Sequence, residues 1–299
     1  MLTSVSVRLA GAAIPLVAAC AAIGAAVAGG RGAVAGVVVA GLVLAAVGAY
    51  CDRLALSAML ARPLSEVEHP ELYRLVRELS KAGRLPVPRL FVSPAEQPNS
   101  FAVGRGRRTA AICCTEGLLA ALDEAELRGV LGHELAHVSG RDILPATLSA
   151  GLATVITFPA GITRFLPTRA ASSLSAPGSA VAPGPAAAGL GVLEAWLFLV
   201  LGPVAALVIQ LSVTREREYR ADAVGAQLSG DPLALSRALR KIDAGTEELA
   251  LAPDARLTSV GHLMVASPFR AEGFARLFRT HPPTGERVRR LEALAGYRR

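Results

Sequence analysis

Four long stretches of this chain carry no charge and are made largely of apolar residues: 9–30, 32–51, 143–163 and 195–214. Each is close to the roughly 20 residues that a helix needs to cross about 30 Å of hydrocarbon. The pattern predicts four transmembrane helices, the first two forming a hairpin that turns at Arg31. The first run is longer than the apolar part of a typical cleaved leader, and the second follows it at once, which favours a retained hairpin. In the third run Pro145 and Pro159 lie near the ends, and threonines and glycines dilute the apolar signal. A buried helix of a soluble core is the alternative reading there.

Between and after these runs the periods change. Val67, Leu72, Leu75, Val76 and Leu79 recur at helical spacing and predict a helix over 66–81 that ends at Gly83. Short strands are expected at 89–92, 100–103 and 109–113, the last two joined by the glycine and arginine turn 104–108. Asp123 followed three residues later by Glu126 reads as a capping box opening a helix through Leu127, Val130, Leu131 and Val138. Residues 166–191, rich in Pro, Ala, Ser and Gly, read as a flexible loop. Further helices are expected over 214–228, from Asp231 and Pro232 as N-cap and first turn, and over 286–294. The fold class is thus a mainly α integral membrane protein with a small sheet. It divides into a hairpin (1–51), a first polar segment with the sheet (52–142), two further membrane helices (143–214) and a second polar segment (215–299).

Composition agrees: 52% of residues are hydrophobic, 18% charged and 4% aromatic, which is not the balance of an ordinary soluble domain. Charge adds orientation. Twelve Lys and Arg fall between Asp52 and Asp142 and fifteen after Thr214, against Arg31 alone in the turn of the first hairpin and Arg164 and Arg169 between the third and fourth runs. Cytoplasmic flanks carry such an excess, so both polar segments are expected on the cytoplasmic side of a plasma membrane. The net charge of +7 then reflects topology and attraction to a lipid bilayer, and no basic and aromatic pattern points to nucleic acid. Cys20, Cys51, Cys113 and Cys114 offer neither a disulfide framework nor a CxxC metal spacing.

The candidate chemistry lies in His133-Glu134-Leu135-Ala136-His137. On a helix residues four apart share a face, so both imidazoles can reach one metal ion. Glu134 then stands beside the metal, where a carboxylate can take a proton from water whose pKa the ion has lowered to about 7. A catalytic zinc normally has three protein ligands and one open position. Glu218 is the best third candidate. It follows the fourth apolar run as closely as His137 precedes the third, so the topology brings both to one membrane face. Glu216, two residues earlier, points to another side of the helix. One Zn2+ per chain is expected.

At these residues the chain resembles the HtpX family of membrane-bound zinc peptidases, relatives of the CAAX prenyl proteases. The resemblance rests on Pro98 to Ala102, Thr115 to Leu119, His133 to His137 with Asp142, Arg217 to Asp222, and Thr280 to Pro283. Thr214 stands where the family usually has serine. The resemblance implies a gluzincin-like site with His133, His137 and Glu218 on zinc, Glu134 as base, and cleavage of unfolded or misassembled membrane proteins on the cytoplasmic side. Around it, Asp222, one turn beyond Glu218, suits an acceptor for a ligand histidine, and Asp142 either does the same or marks a helix end. His281 either stabilises the oxyanion or is a turn residue. Asn99 and Ala102 either line a substrate strand or pack. His69 and His262 are expected at the surface. The rival readings are a prenyl-protein protease and a non-catalytic zinc-containing membrane scaffold or chaperone.

Overall fold

The computed structural model describes residues 2–140, 143–161, 203–210, 214–251, 257–269 and 281–296. The loop expected over 166–191, and Asp142, lie outside them. The first element, α1 (Leu2–Ala58), is two arms rather than one rod, because the helix breaks at Ala28 and at Gly29, whose φ of 58° favours glycine. Gly24 abuts Gly32, and Gly36 abuts Cys20, so arms 2–27 and 30–58 run antiparallel. The reversal therefore precedes Arg31, which already belongs to the second arm: backbone conformation sets the turn, and the charge only marks its vicinity.

Among the described residues α1 is the one helix long and apolar enough to cross a membrane. Along its second arm Val34, Val37, Val38, Val39 and Leu42 are exposed, while Val47 and Cys51 pack on Leu152 of α5 (Ile143–Gly161) and Val208 of α6 (203–210). The expected four spans thus correspond in the described residues to one qualifying helix and two apolar segments packed on it.

The sheet follows the order β1 (Arg62–Pro63), β2 (Arg89–Ser93), β4 (Ala111–Thr115), β3 (Ser100–Val103). β2 and β4 are parallel, and the other pairs are antiparallel. The two-residue β1 is an addition to the expected strands, and β4 starts two residues later than expected because Arg107–Thr109 form a 3-10 turn. Successive strand side chains alternate faces. Phe101, Val103, Ala111 and Cys113 turn to Ala55, Leu56 and Met59 of α1 and Ala146 and Ala150 of α5. Ala102, Ile112 and Cys114 turn the other way, into the main core. The sheet is therefore the layer between the apolar helices and the rest of the molecule.

The main core draws on both polar segments: Leu72, Leu75, Val76 and Leu79 of α2 (Pro70–Ala82), Val130, Leu131, Leu135 and Val138 of α4 (Glu124–Ser139), Leu235, Leu239 and Ile242 of α8 (Pro232–Glu248), and Val288 and Leu291 of α10 (Thr284–Leu294). α2 begins later than the apolar spacing suggests, because Pro70 occupies its first turn and Val67, before it, is 92% exposed. The capping box of Asp123 and Glu126 and the Asp231 N-cap both form.

Candidate metal centre

α4 carries His133, Glu134 and His137, and packs along α7 (Arg215–Ser229), which carries Glu218 and Asp222. The two helices meet where Gly132 faces Gly225: a Cβ on Gly225 would lie 2.7 Å from the His133 nitrogen, and one on Gly132 would lie 2.7 Å from the Gly225 carbonyl. This approach sets the metal centre, because Glu218 and Asp222 stand about two turns and one turn along α7 from the contact. Nε2 of His133 and Nε2 of His137 are 3.2 Å apart. Glu218 places Oε2 3.9 Å from the first and Oε1 3.9 Å from the second. Oxygen and nitrogen ligands about 2.0–2.2 Å from a tetrahedral zinc would stand about 3.4 Å from one another, so the three donors fit that ion with small adjustments. Among the described residues Glu218 Oε2 is buried and takes no hydrogen bond, as suits an oxygen whose partner is a cation. Glu216 is exposed.

The neighbouring groups orient these donors. Asp222 Oδ1 lies 2.9 Å from Nδ1 of His133, and the buried Arg287 donates to both oxygens of Asp222, from Nε at 2.8 Å and Nη2 at 2.7 Å. Burial works to raise the Asp222 pKa, but Arg287 and His133 overcome it and hold it at about 2. An ionised Asp222 can only accept, so Nδ1 of His133 carries the hydrogen and Nε2 turns its lone pair toward His137 and Glu218. Burial lowers His137 to about 3, which keeps it neutral, the form that can bind a metal.

Glu134 is held differently. Its Oε1 accepts a 2.6 Å hydrogen bond from the Ser100 hydroxyl, and its Oε2 is buried with no hydrogen-bond partner among the described residues. Burial, the largest effect, raises its pKa to about 7 against the lowering by His133 and Ser100. His281 also reaches the centre, with Nδ1 3.4 Å from Glu218 Oε2 and neither ring nitrogen hydrogen-bonded among the described residues.

Asn99 and Ala102 are both buried. The Asn99 amide donates to the Ala266 carbonyl at 2.9 Å and its oxygen accepts from the Ala266 N–H at 3.3 Å, while Ala102 packs in the main core. Beside them the outer edge of β3 is taken up by the chain itself, through a bridge from Phe101 to Met264 and a bond from the Val265 N–H to the Ser100 carbonyl at 2.9 Å. His69 is exposed, as expected. His262 is not: it is 4% exposed, with Nε2 2.8 Å from Ser149 Oγ and 3.2 Å from the Ala146 carbonyl. The carbonyl requires that Nε2 carry the hydrogen. A short 3-10 turn, Gly261–Leu263, folds the ring against α5, a contact no local pattern announces.

Sequence reasoning missed Arg287 and Ser100. Arg287 lies next to Val288 and four residues before Leu291, on the apolar side of α10. A charge at such a position needs a buried partner, and that was the available signal. Ser100 alternates with Phe101 and so shares the Ala102 side of β3, but nothing local named Glu134 as its acceptor.

Residues 66–295 match peptidase family M48. The chain is 53% identical over 247 residues to the Protease HtpX homolog of Kineococcus radiotolerans, covering 82% of this chain and 80% of that one. It is 46% identical over 248 residues to the Protease HtpX homolog of Paenarthrobacter aurescens, covering 82% and 79%. Among solved structures, that of S. mikatae Ste24p aligns with 19% identity and a TM-score of 0.40 over 78% of this chain and 52% of that one, so the chain spans about half that protein's length.

Proposed function

The chain belongs to peptidase family M48, and from that premise we propose that it is a zinc-dependent endopeptidase anchored in a membrane, cutting unfolded or misassembled membrane proteins on the cytoplasmic side. The observation that carries the chemistry is the convergence of His133, His137 and Glu218 beside a glutamate with one oxygen held and one buried without a partner. Three donors leave a position open, as a catalytic site requires and a structural site does not.

When bound, zinc would acidify water and polarise the scissile carbonyl. The chain does the rest. Glu134 takes the proton of the attacking water on Oε2 and returns it to the departing amine, as a general base that becomes a general acid. His281, close to Glu218, is placed to donate to the oxyanion. Asp222 and Arg287 keep His133 in the tautomer that binds metal.

The apolar arms, which tether the site to a bilayer, support a substrate met at the membrane, and the Lys and Arg excess on the polar segments supports the cytoplasmic side. Pairing of an extended substrate with β3 at Ser100 and Phe101 requires Met264 and Val265 to leave that edge.

The test compares wild type with Glu134→Gln, both full length in detergent with zinc content measured, on an unfolded protein such as casein. Cleavage by the wild type and none by the zinc-loaded variant supports the reading. Equal cleavage by both removes Glu134 as the base, and two zinc-loaded proteins that cut nothing across a wide substrate panel favour a scaffold.

A further inference from the structure

Ser100 and Glu134 come from different elements, β3 and α4, and are 0% and 1% exposed. The Ser100 hydroxyl has one hydrogen to give, and gives it to Glu134 Oε1 at 2.6 Å, in the short range of bonds to an ionised acceptor. We propose that Ser100 is the positioning residue for the general base: by holding one carboxylate oxygen it presents the other to the attacking water. The proposal rests on the metallopeptidase reading above.

Two observations support positioning over simple packing. The first is how firmly the donor is placed. The Ser100 N–H bonds Asn99 Oδ1 at 3.2 Å, its carbonyl receives the Val265 N–H at 2.9 Å, and the residue pairs with Cys114 across β4. The β4 pairing thus fixes its Cβ independently of α4, whichever chain occupies the outer edge of β3. A glutamate free to turn about its side-chain torsions loses up to about 2 kcal/mol of rotamer entropy when ordered. A donor fixed by a strand sets that order in advance, which is the condition for a base to act at a defined distance. The second is the asymmetry of the carboxylate. Among the described residues Oε2 is buried and takes no hydrogen bond, so the Ser100 bond divides the two oxygens into one anchored and one available. A hydroxyl buried merely to fill space costs free energy that alanine would avoid.

The test uses the zinc-loaded full-length protein in detergent and steady-state kinetics on a fluorogenic unfolded substrate. Ser100→Thr and Ser100→Val have the same shape and differ in the hydroxyl. Since general base catalysis contributes about 10²–10⁴-fold, we expect kcat of the valine variant to fall about tenfold or more below that of the threonine variant, with KM and zinc content alike. A second arm places Ser100→Ala in a Glu134→Asp background, where the shorter side chain no longer reaches the hydroxyl. There it should change kcat by less than about twofold, although in the wild type it costs about tenfold. Equal kcat for the threonine and valine variants, an effect confined to KM, or an undiminished effect in the Glu134→Asp background would each overturn the proposal. Failure of the metallopeptidase reading is separately visible, as full activity of Glu134→Gln.

Discussion

Nδ1 of His133 and Oδ1 of Asp222 stand 2.9 Å apart in a buried corner that Arg287 closes. In the proposed site the pair would join metal binding to folding: Asp222 fixes the tautomer of His133, and Arg287 keeps Asp222 charged. Asp222→Asn keeps the shape and removes the charge. Zinc affinity, measured by competition with a chelator, should fall about 10–100-fold, and the protein should also lose stability because Arg287 loses its ion-pair partner. Unchanged affinity would mean that the tautomer is set by something else.

Glu218 and Glu134 should separate cleanly by zinc binding. A ligand that binds only the folded state stabilises it in proportion to its affinity. Adding zinc to the metal-stripped wild type and to stripped Glu134→Gln should raise the melting temperature similarly, with a clearly smaller rise for Glu218→Gln. A rise in Glu218→Gln equal to that of the wild type would remove Glu218 from the ligand set.

The contact of Gly132 with Gly225 should tolerate no side chain. A Cβ at Gly225 would fall 2.7 Å and 2.8 Å from backbone atoms of His133, so Gly225→Ala must push α7 away from α4. Overpacking of this kind costs about 1–3 kcal/mol, and the displacement separates Glu218 from the histidines, so zinc affinity should fall as well. Gly285→Ala, where a Cβ meets nothing within 4 Å, is the matched control and should change neither quantity. Equal zinc affinity for the two variants would show that the helices have slack.

His262 gives a pH dependence outside the metal centre. Burial lowers its pKa to about 3 from an ordinary 6.5, so folding favours the neutral ring. The stability it contributes is complete above about pH 6.5 and is lost as pH falls toward 3, by up to about 1.4 kcal/mol per pH unit. His262→Leu removes that term, and the Ser149 hydroxyl keeps its bond to the Ala146 carbonyl. Between about pH 6.5 and 4.5 the melting temperature of the wild type should therefore drop more steeply than that of the variant. Parallel curves would contradict a neutral buried His262.

Much of this protein could be read from local order. The Asp123 and Asp231 caps, the strand at 100–103 and the paired histidines of α4 depend on residues a few positions apart, and such interactions survive translation from pattern to structure with small shifts. Gly29 rather than Arg31 turning the hairpin, and Pro70 rather than Glu66 opening α2, are errors of the same local kind, since a backbone preference there outweighs a charge or an apolar spacing. Local order thus settles which residue types are available for metal chemistry and on which helices they stand. The tertiary structure alone decided that Ser100 meets Glu134, that Arg287 closes on Asp222 from 65 residues away, and that His262 is buried against α5. Those contacts join elements far apart in the chain, and their partners are chosen by how closely helices can approach, as at Gly132 and Gly225, and by the need of every buried charge to find its counterpart.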